Sequence, residues 1–170
     1  PLFTSLGGFD ERFFMVYEDV DLSYRARLLG ARVWFAADAV VRHAGSASMG
    51  RVSDLAVYCG QRNLEWTWIR NTPSRLLWRT ALSHLAYNMA GALGYLKQGR
   101  LGPWLRGKAA AIAGVRRVWR QRTPVGAEVT GALWALMEPD WIGTKRAEKQ
   151  FDFRPAASVD DPESSNQKPA

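Results

Sequence analysis

The sequence predicts an α/β protein in its first part, followed by amphipathic helices. A helix-like pattern begins beside Asp19 and stops at Gly30, and two short β-prone runs follow it. The middle of the chain is helical in pattern and strongly basic. An order of helix, strand, strand is typical of an α/β layer, so we expect the remaining strands of that layer to lie outside this sequence.

Length and charge limit the kinds of protein that this chain can be. With 170 residues and a net charge of +7, it can form one domain with a hydrophobic core and additional elements. The charge favours a polyanionic partner: nucleic acid, an anionic membrane or a phosphate-bearing substrate. The single cysteine, Cys59, excludes an intrachain disulfide and fits a reducing compartment. Residues 1–8 read as the continuation of a sequence pattern that began earlier. We therefore expect this sequence to be the C-terminal piece of a longer protein.

The first 50 residues contain the elements of the predicted layer. Residues 1–16 read as loop and turn, and the helix runs from about Asp19 to Leu29, where Gly30 is a natural left-handed cap. The β-prone runs at residues 32–36 and 39–43 predict two strands, the second ending in His43. Small and polar residues then predict a loop over 44–50.

Three longer helices are predicted after this layer, over residues 52–71, 74–96 and 104–122. Thr72-Pro73 ends the first of them, and glycine- and proline-containing turns separate the others. A weaker apolar segment covers residues 129–137, and the tail has a disordered composition. We therefore predict three regions: 1–71, which contains the α/β layer; 72–150, a basic amphipathic helical extension; and 151–170, a disordered tail.

Charge is distributed unevenly along the helical region. Between Trp66 and Ala127 there are eleven Lys and Arg residues and no Asp or Glu, with tryptophans interleaved. This composition is typical of helices that lie in a membrane interface. The uncharged run from Thr80 to Leu96 is at the short limit for a spanning helix, so we expect it to lie on the bilayer. A solvated basic face or an RNA-binding surface is the alternative.

The acidic run Glu18-Asp19-Val20-Asp21 is the main candidate for chemistry. A carboxylate held at a helix N-terminus can cap the helix, bind a metal or accept a proton, and capping is the commonest role for such a residue. Asp21 reads as a structural residue of the helix start. A lone histidine such as His43 is more often a satisfied or exposed side chain than a metal ligand.

Several motifs that occur in order along the chain favour a catalytic role for these residues over a purely structural one. The sequence closely resembles the C-terminal half of the catalytic domain of family 2 glycosyltransferases, nearest to their rhamnosyltransferase-like branch. The motifs cover residues 1 to about 50, and a looser resemblance continues through Tyr58, Arg62 and Asn63. They are Gly7-Gly8-Phe9-Asp10-Glu11-Arg12-Phe13-Phe14, Glu18-Asp19-Val20-Asp21-Leu22-Ser23-Tyr24-Arg25, Gly30-Ala31-Arg32-Val33 and Ala39-Val40-Val41-Arg42-His43-Ala44-Gly45-Ser46.

The resemblance implies that residues 1–71 are the C-terminal portion of a glycosyltransferase catalytic domain. It also implies a partial GT-A (Rossmann-like) fold and an inverting sugar transfer. Asp19 would be the general base that deprotonates the acceptor hydroxyl, and Glu18 would orient the acceptor or support the site. The loop of Gly7, Gly8 and Phe9 would form a wall of the acceptor site. His43 would be a metal ligand. Arg62 would contact the donor diphosphate, although a surface or interface cation is an equal alternative.

The same resemblance implies cofactors, partners and location. A divalent metal, Mg or Mn, would neutralise the leaving diphosphate and be held mostly by the nucleotide-binding half, whose Asp-x-Asp motif this chain lacks in a suitable context. We therefore expect the chain alone to be inactive. The expected partners are a nucleotide-sugar donor, a cell-envelope glycan or lipid-linked acceptor and an anionic membrane, with no nucleic acid. The expected location is cytoplasmic and peripheral on the inner face of the membrane. The alternative is a non-catalytic basic module that binds membrane or RNA.

Overall fold

The computed structural model of the protein describes residues 1–34, 36, 38–39, 53–137, 140 and 143. Residues Pro1–Leu136 form one compact unit. Its described elements are helices. They are α1 (Leu2–Ser5), a 3-10 turn (Glu11–Phe13), α2 (Glu18–Leu28), α3 (Asp54–Asn71), α4 (Ser74–Lys97), α5 (Leu101–Arg120) and α6 (Ala127–Leu136).

The α/β prediction is wrong for the described part of the chain, which is helical and contains no strand or sheet. Residues 32–34, predicted as strand, have no regular structure, and Trp34 is 78% exposed. A β-prone run becomes a strand only when a neighbour pairs with its N–H and C=O groups, and no partner strand stands among the described residues. The partial GT-A fold is therefore not observed. Residues 40–43 and 44–50 and the tail from 151 lie outside the described residues.

The predicted helices are confirmed, with small shifts at their ends. Helix α2 ends in the glycine cap that the sequence predicted: Gly30 has φ +80°, its N–H donates to Arg27 O, and Ala31 N–H donates to Ala26 O. These two bonds satisfy carbonyls that the end of a helix leaves free. Helix α5 begins at Leu101, three residues before the predicted start, because Pro103 is compatible with the first turn of a helix. Residues 127–136, predicted only as apolar, form a helix.

Among the described helices, α3 and α5 pack against each other most extensively. Trp66 of α3 is 6% exposed, its ring lies against Gly114 of α5, and its indole N–H donates to Ala111 O at 3.2 Å. A Cβ on Gly107 would lie 2.6 Å from the backbone oxygen of Tyr58. The small residues of α5 therefore let the two backbones approach each other. Phe13 and Val118 complete the core cluster around Trp66.

Candidate functional site

A polar cleft of about 400 Å³ lies beside the glycine loop at the start of the chain. Gly7 and Gly8 both have positive φ, +75° and +65°, which only glycine adopts readily in succession. The ring of Phe9 meets that of Phe3 edge to face, with centroids 5.4 Å apart. The cleft thus has a tight backbone turn at one edge. Its lining residues are Leu6, Gly7, Gly8, Phe9, Asp10, Glu11, Arg12, Arg25 and Arg70.

A buried ion pair fastens this loop to α2. Asp21 is 0% exposed, and its carboxylate accepts hydrogen bonds of 2.8 Å from Arg25 Nε and from Asn71 Nδ2. The other end of the Arg25 guanidinium donates to the carbonyl oxygens of Leu6 and Gly8. Each of these hydrogen bonds has a charged donor or a charged acceptor, and such bonds are stronger than those between neutral groups. The network therefore holds the loop firmly against α2. Asp21 thus has a structural role.

A second ion pair lies in the cleft itself. The Asp10 carboxylate accepts hydrogen bonds of 2.8 Å from Arg12 Nε and 2.9 Å from Arg70 Nη1. Partial burial would raise the pKa of Asp10, but the hydrogen bonds from Arg12 and the charges of Arg12 and Arg70 hold that pKa below its usual value. Arg70 also lies 3.5 Å from Asp21, so the two networks are joined.

The backbone just before the acidic run is strained. Phe14, Val16 and Tyr17 have φ of +61°, +63° and +75°, values that residues other than glycine rarely adopt. For the β-branched Val16 this conformation is a true outlier. Strain of this kind persists only where the surrounding structure holds it, and it occurs preferentially at functional sites.

Asn63 of α3 holds the strained segment in place. It is 0% exposed, and its side-chain NH2 donates to the carbonyl oxygens of Phe13, Met15 and Val16 at 2.8–2.9 Å. The neighbouring Arg62 donates through Nη2 to Arg12 O and Phe13 O and through Nε to Asn63 Oδ1. Two adjacent side chains of α3 therefore set the path of the chain into α2.

Glu18 and Asp19 are the first two residues of α2, directly after the strained segment. Asp19 is exposed, and its Oδ1 accepts a hydrogen bond of 2.8 Å from Val20 N–H. Glu18 Oε2 is buried and has no hydrogen-bond partner among the described residues. Neither residue lines the cleft formed by Gly7, Gly8 and Phe9. The predicted site residues are thus on adjoining segments, not in one pocket.

Arg62 and His43, the other predicted site residues, do not join this group. The Arg62 guanidinium is used by backbone carbonyls and lies 4.5 Å from the Trp66 ring centroid, so its observed contacts are structural. Its predicted contact with a diphosphate stays a prediction. His43 lies outside the described residues. Within the described part of the chain, no group of three or more His, Cys, Asp or Glu side chains could hold a metal ion.

A second cluster of charged residues joins three helices. Glu65 of α3 lies 2.9 Å from His84 Nε2 of α4 and 2.6 Å from Lys108 Nζ of α5, and the His84 ring stacks on Trp68 with centroids 4.0 Å apart. Burial alone would raise the pKa of Glu65, but hydrogen bonds and charges from His84 and Lys108 hold it at about 2. Burial also lowers the pKa of Lys108, and Glu65 partly offsets this effect.

Sequence reasoning missed the polar residues of α3 that organise the site. Arg70 and Asn71 read as ordinary helix residues in the sequence, and Asn63 is named only as part of the looser resemblance, without a role. Each of the three is bonded to a segment about 50 residues earlier or more. A detectable signal was present: Asn63, Thr67 and Asn71 follow one another at intervals of four on one face of α3, and buried polar side chains in a helix require specific partners.

Comparison with known proteins found no matching family model, no similar curated protein and no similar solved structure. Among the helices of the described residues, none combines the length and the hydropathy that a bilayer-crossing segment requires. The candidate site thus consists of the exposed Asp19 carboxylate at the start of α2, the strained backbone of residues 14–17 before it and the polar cleft on the adjoining segment.

Proposed function

We propose that the protein transfers a sugar from a nucleotide-sugar donor to a glycan or lipid-linked acceptor of the cell envelope, by an inverting mechanism. The observation that carries this proposal is the strained segment before Glu18 and Asp19, held by the buried amide of Asn63. A chain maintains such a conformation where it positions a reactive group, and the group that follows is an exposed carboxylate. The type of reaction, sugar transfer, comes from the motif resemblance. The helical architecture does not support this type of reaction over others.

In the proposed step, the acceptor hydroxyl oxygen attacks the anomeric carbon of the donor sugar. A carbon–oxygen bond forms on one face as the bond to the diphosphate oxygen breaks on the other. The leaving nucleoside diphosphate takes the electron pair, and the configuration at the anomeric carbon inverts. The Asp19 carboxylate accepts the proton of the attacking hydroxyl. Asp19 is exposed at the start of α2, where its Oδ1 accepts a hydrogen bond from Val20 N–H.

The residues described here do not form a complete metal site, as no cluster of three metal-binding side chains is present among them. Asp10 and Asp21 are both engaged by arginines, which leaves their oxygens unsuited to bind a cation. We therefore assign no step of the reaction to a metal bound by this part of the chain.

The proposed location is the cytoplasmic face of the cell membrane, where the protein would be held peripherally. The absence of Asp and Glu between Trp66 and Ala127 supports it, because eleven cations in that span would be attracted to anionic lipid. The same feature supports a second candidate function, a basic membrane-binding module without catalysis. The two functions differ in one requirement: only the transferase needs the Asp19 carboxylate.

The Asp19→Asn variant tests the transferase proposal in the full-length product of the reading frame. The assay supplies a panel of nucleoside-diphosphate sugars with a lipid extract as acceptor and measures release of nucleoside diphosphate. Loss of a general base typically costs about 10²- to 10⁴-fold in rate, so turnover is expected to fall by at least ~100-fold. Binding of the donor should change little, because the substitution keeps the shape of the side chain.

Asp54→Asn is the matched control. Asp54 is also an exposed carboxylate in the first turn of a helix, and it pairs only at the surface with Arg100. We expect this variant to keep full activity and to have the same thermal stability as Asp19→Asn. Undiminished activity of Asp19→Asn would refute the base assignment. An equal loss in both variants would indicate an effect on folding and refute it as well.

A further inference from the structure

One face of α4 is apolar along its whole length and is largely exposed within the described part of the chain. The residues concerned follow one another at intervals of four, three, four, four and three, and they therefore lie on one face of the helix. All of them are 55–84% exposed. They are Trp78, Leu82, Leu85, Met89, Leu93 and Leu96. We call this set the α4 stripe.

Helix α5 carries a similar stripe. Its residues Leu105, Ile112, Val115 and Trp119 lie on one face and are 39–73% exposed. The buried residues of α5, among them Ala111 and Val118, occupy a different face, which packs against α3. The α5 stripe is therefore not required by the core.

The two stripes meet across a groove of about 310 Å³. Leu85 and Met89 of α4 and Ile112 and Val115 of α5 line it together. Of the polar residues at the groove, Glu65 and Lys108 are paired with each other at 2.6 Å, and Asn88 donates to His84 O within α4. The exposed apolar residues of the two helices are therefore adjacent to one another and are not a scattered set of single exposed leucines.

The border of this surface is positively charged. Arg116 and Arg120 follow Ile112 at intervals of four residues, so they form a row beside the α5 stripe, and both are exposed. No ion pair joins either of them to a carboxylate within the described ranges. Lys97 lies exposed at the end of α4. An apolar face bordered by cations, with Trp78 and Trp119 on it, matches the chemistry of an anionic bilayer interface.

We propose that the α4 and α5 stripes form one membrane-binding face that inserts into the interface of an anionic bilayer, with both helices lying in the membrane plane. The inference rests on the peripheral location proposed above and not on the sugar-transfer reaction. Arg116 and Arg120 contact lipid phosphates at the border, while the leucines and Ile112 enter the acyl region. A second copy of this chain fits the surface less well, because its own row of arginines would meet the first.

The test places an environment-sensitive nitrobenzoxadiazole (NBD) label at single positions of the full chain. The introduced cysteines are Met89→Cys in the α4 stripe and Leu29→Cys directly after α2, and the two positions are matched in exposure at 57% and 59%. Cys59 is 2% exposed and does not compete for the label. Vesicles of phosphatidylcholine with about a third phosphatidylglycerol should raise and blue-shift the emission at position 89 and leave position 29 unchanged.

Charge and apolar variants separate the two contributions to binding. Leu85→Glu should weaken partition into these vesicles by roughly 10-fold or more, since it replaces an apolar side chain that enters the acyl region with a charged one, whereas Leu29→Glu should have no effect. Arg116→Gln with Arg120→Gln should also weaken partition roughly 10-fold at low salt, and high salt should remove this difference. Circular dichroism of each variant checks that the helices remain intact.

Three results would overturn the proposal. The first is equal label responses at positions 89 and 29. The second is binding to single-stranded RNA without any binding to vesicles. The third is a dimer in sedimentation velocity that Leu85→Glu dissociates while vesicle binding stays unchanged. These experiments contain no sugar donor, so their failure leaves the transferase proposal standing, and loss of activity in Asp19→Asn leaves this proposal standing.

Discussion

Asn63 shows how a single residue can determine the path of a distant segment. Its amide is fully buried and donates to three carbonyl oxygens of residues 13–16, which precede the acidic run by only a few positions. Without these bonds, the carbonyl oxygens of Met15 and Val16 would lose this donor, while Phe13 O would keep its bonds from Arg62 and Met15 N–H. The positive φ of Val16 would then have no compensation.

We expect Asn63→Ala to lower the free energy of unfolding by about 3 kcal/mol, the cost of leaving buried polar groups without partners. Urea unfolding followed by circular dichroism measures it. Asn88→Ala is the control, because Asn88 donates only to His84 O within its own helix. That variant should lose under ~1 kcal/mol. Equal losses in the two variants would show that the contacts to residues 13–16 carry no particular weight.

At the scale of elements, the pairing of α3 with α5 depends on glycines in α5. A Cβ at Gly114 would lie 2.7–2.9 Å from ring atoms of Trp66, closer than real side chains approach one another. Since Trp66 belongs to the core cluster with Phe13 and Val118, the ring has little room to move. The sequence would have favoured alanine at this position for helix formation alone.

Gly114→Ala should therefore destabilise the protein by about 1–3 kcal/mol, the usual cost of overpacking, and shift the thermal midpoint downward. The matched substitution Gly94→Ala in α4 places its Cβ in open space and should stabilise by up to ~1 kcal/mol through helix propensity. Differential scanning calorimetry compares the two. A Gly114→Ala variant that is more stable than the wild-type protein would contradict this prediction, because it would mean that α3 and α5 can move apart to accommodate the added methyl group.

At the scale of the whole molecule, Glu65 connects α3, α4 and α5 through His84 and Lys108. Its pKa in the folded protein is about 2, below the ordinary value of 4.5. A group whose pKa is lowered on folding contributes stability above the ordinary pKa and loses it as the pH falls through the folded pKa. The contribution should therefore be complete at neutral pH and decline between about pH 4.5 and 2.

We expect the stability difference between the wild-type protein and Glu65→Gln to shrink by about 2 kcal/mol from pH 7 to pH 3, at ~1.4 kcal/mol per pKa unit. Urea unfolding of both proteins at the two pH values provides the measurement. Comparison with the variant removes the contributions of other carboxylates such as Asp10, whose pKa is also lowered. A difference that stays constant with pH would show that Glu65 is not ionised preferentially in the fold.

The sequence by itself determined the long helices, their breaks and the cap at Gly30, because apolar periodicity and glycine or proline signals act locally. It also revealed the acid-free basic span, which needs no coordinates. It misled at residues 32–34, where β propensity predicts a strand that has no partner to pair with in the described ranges.

Only the tertiary structure decided which polar residues surround the acidic run at the start of α2. Asn63, Arg70 and Asn71 reach segments about 50 to 60 residues away, and no local pattern encodes such a contact. Tertiary packing also decided that the apolar stripes of α4 and α5 stay exposed, since α5 uses a different face, with Ala111 and Gly114, against α3. Helical periodicity predicts an apolar face, but whether that face is buried depends on what packs against it.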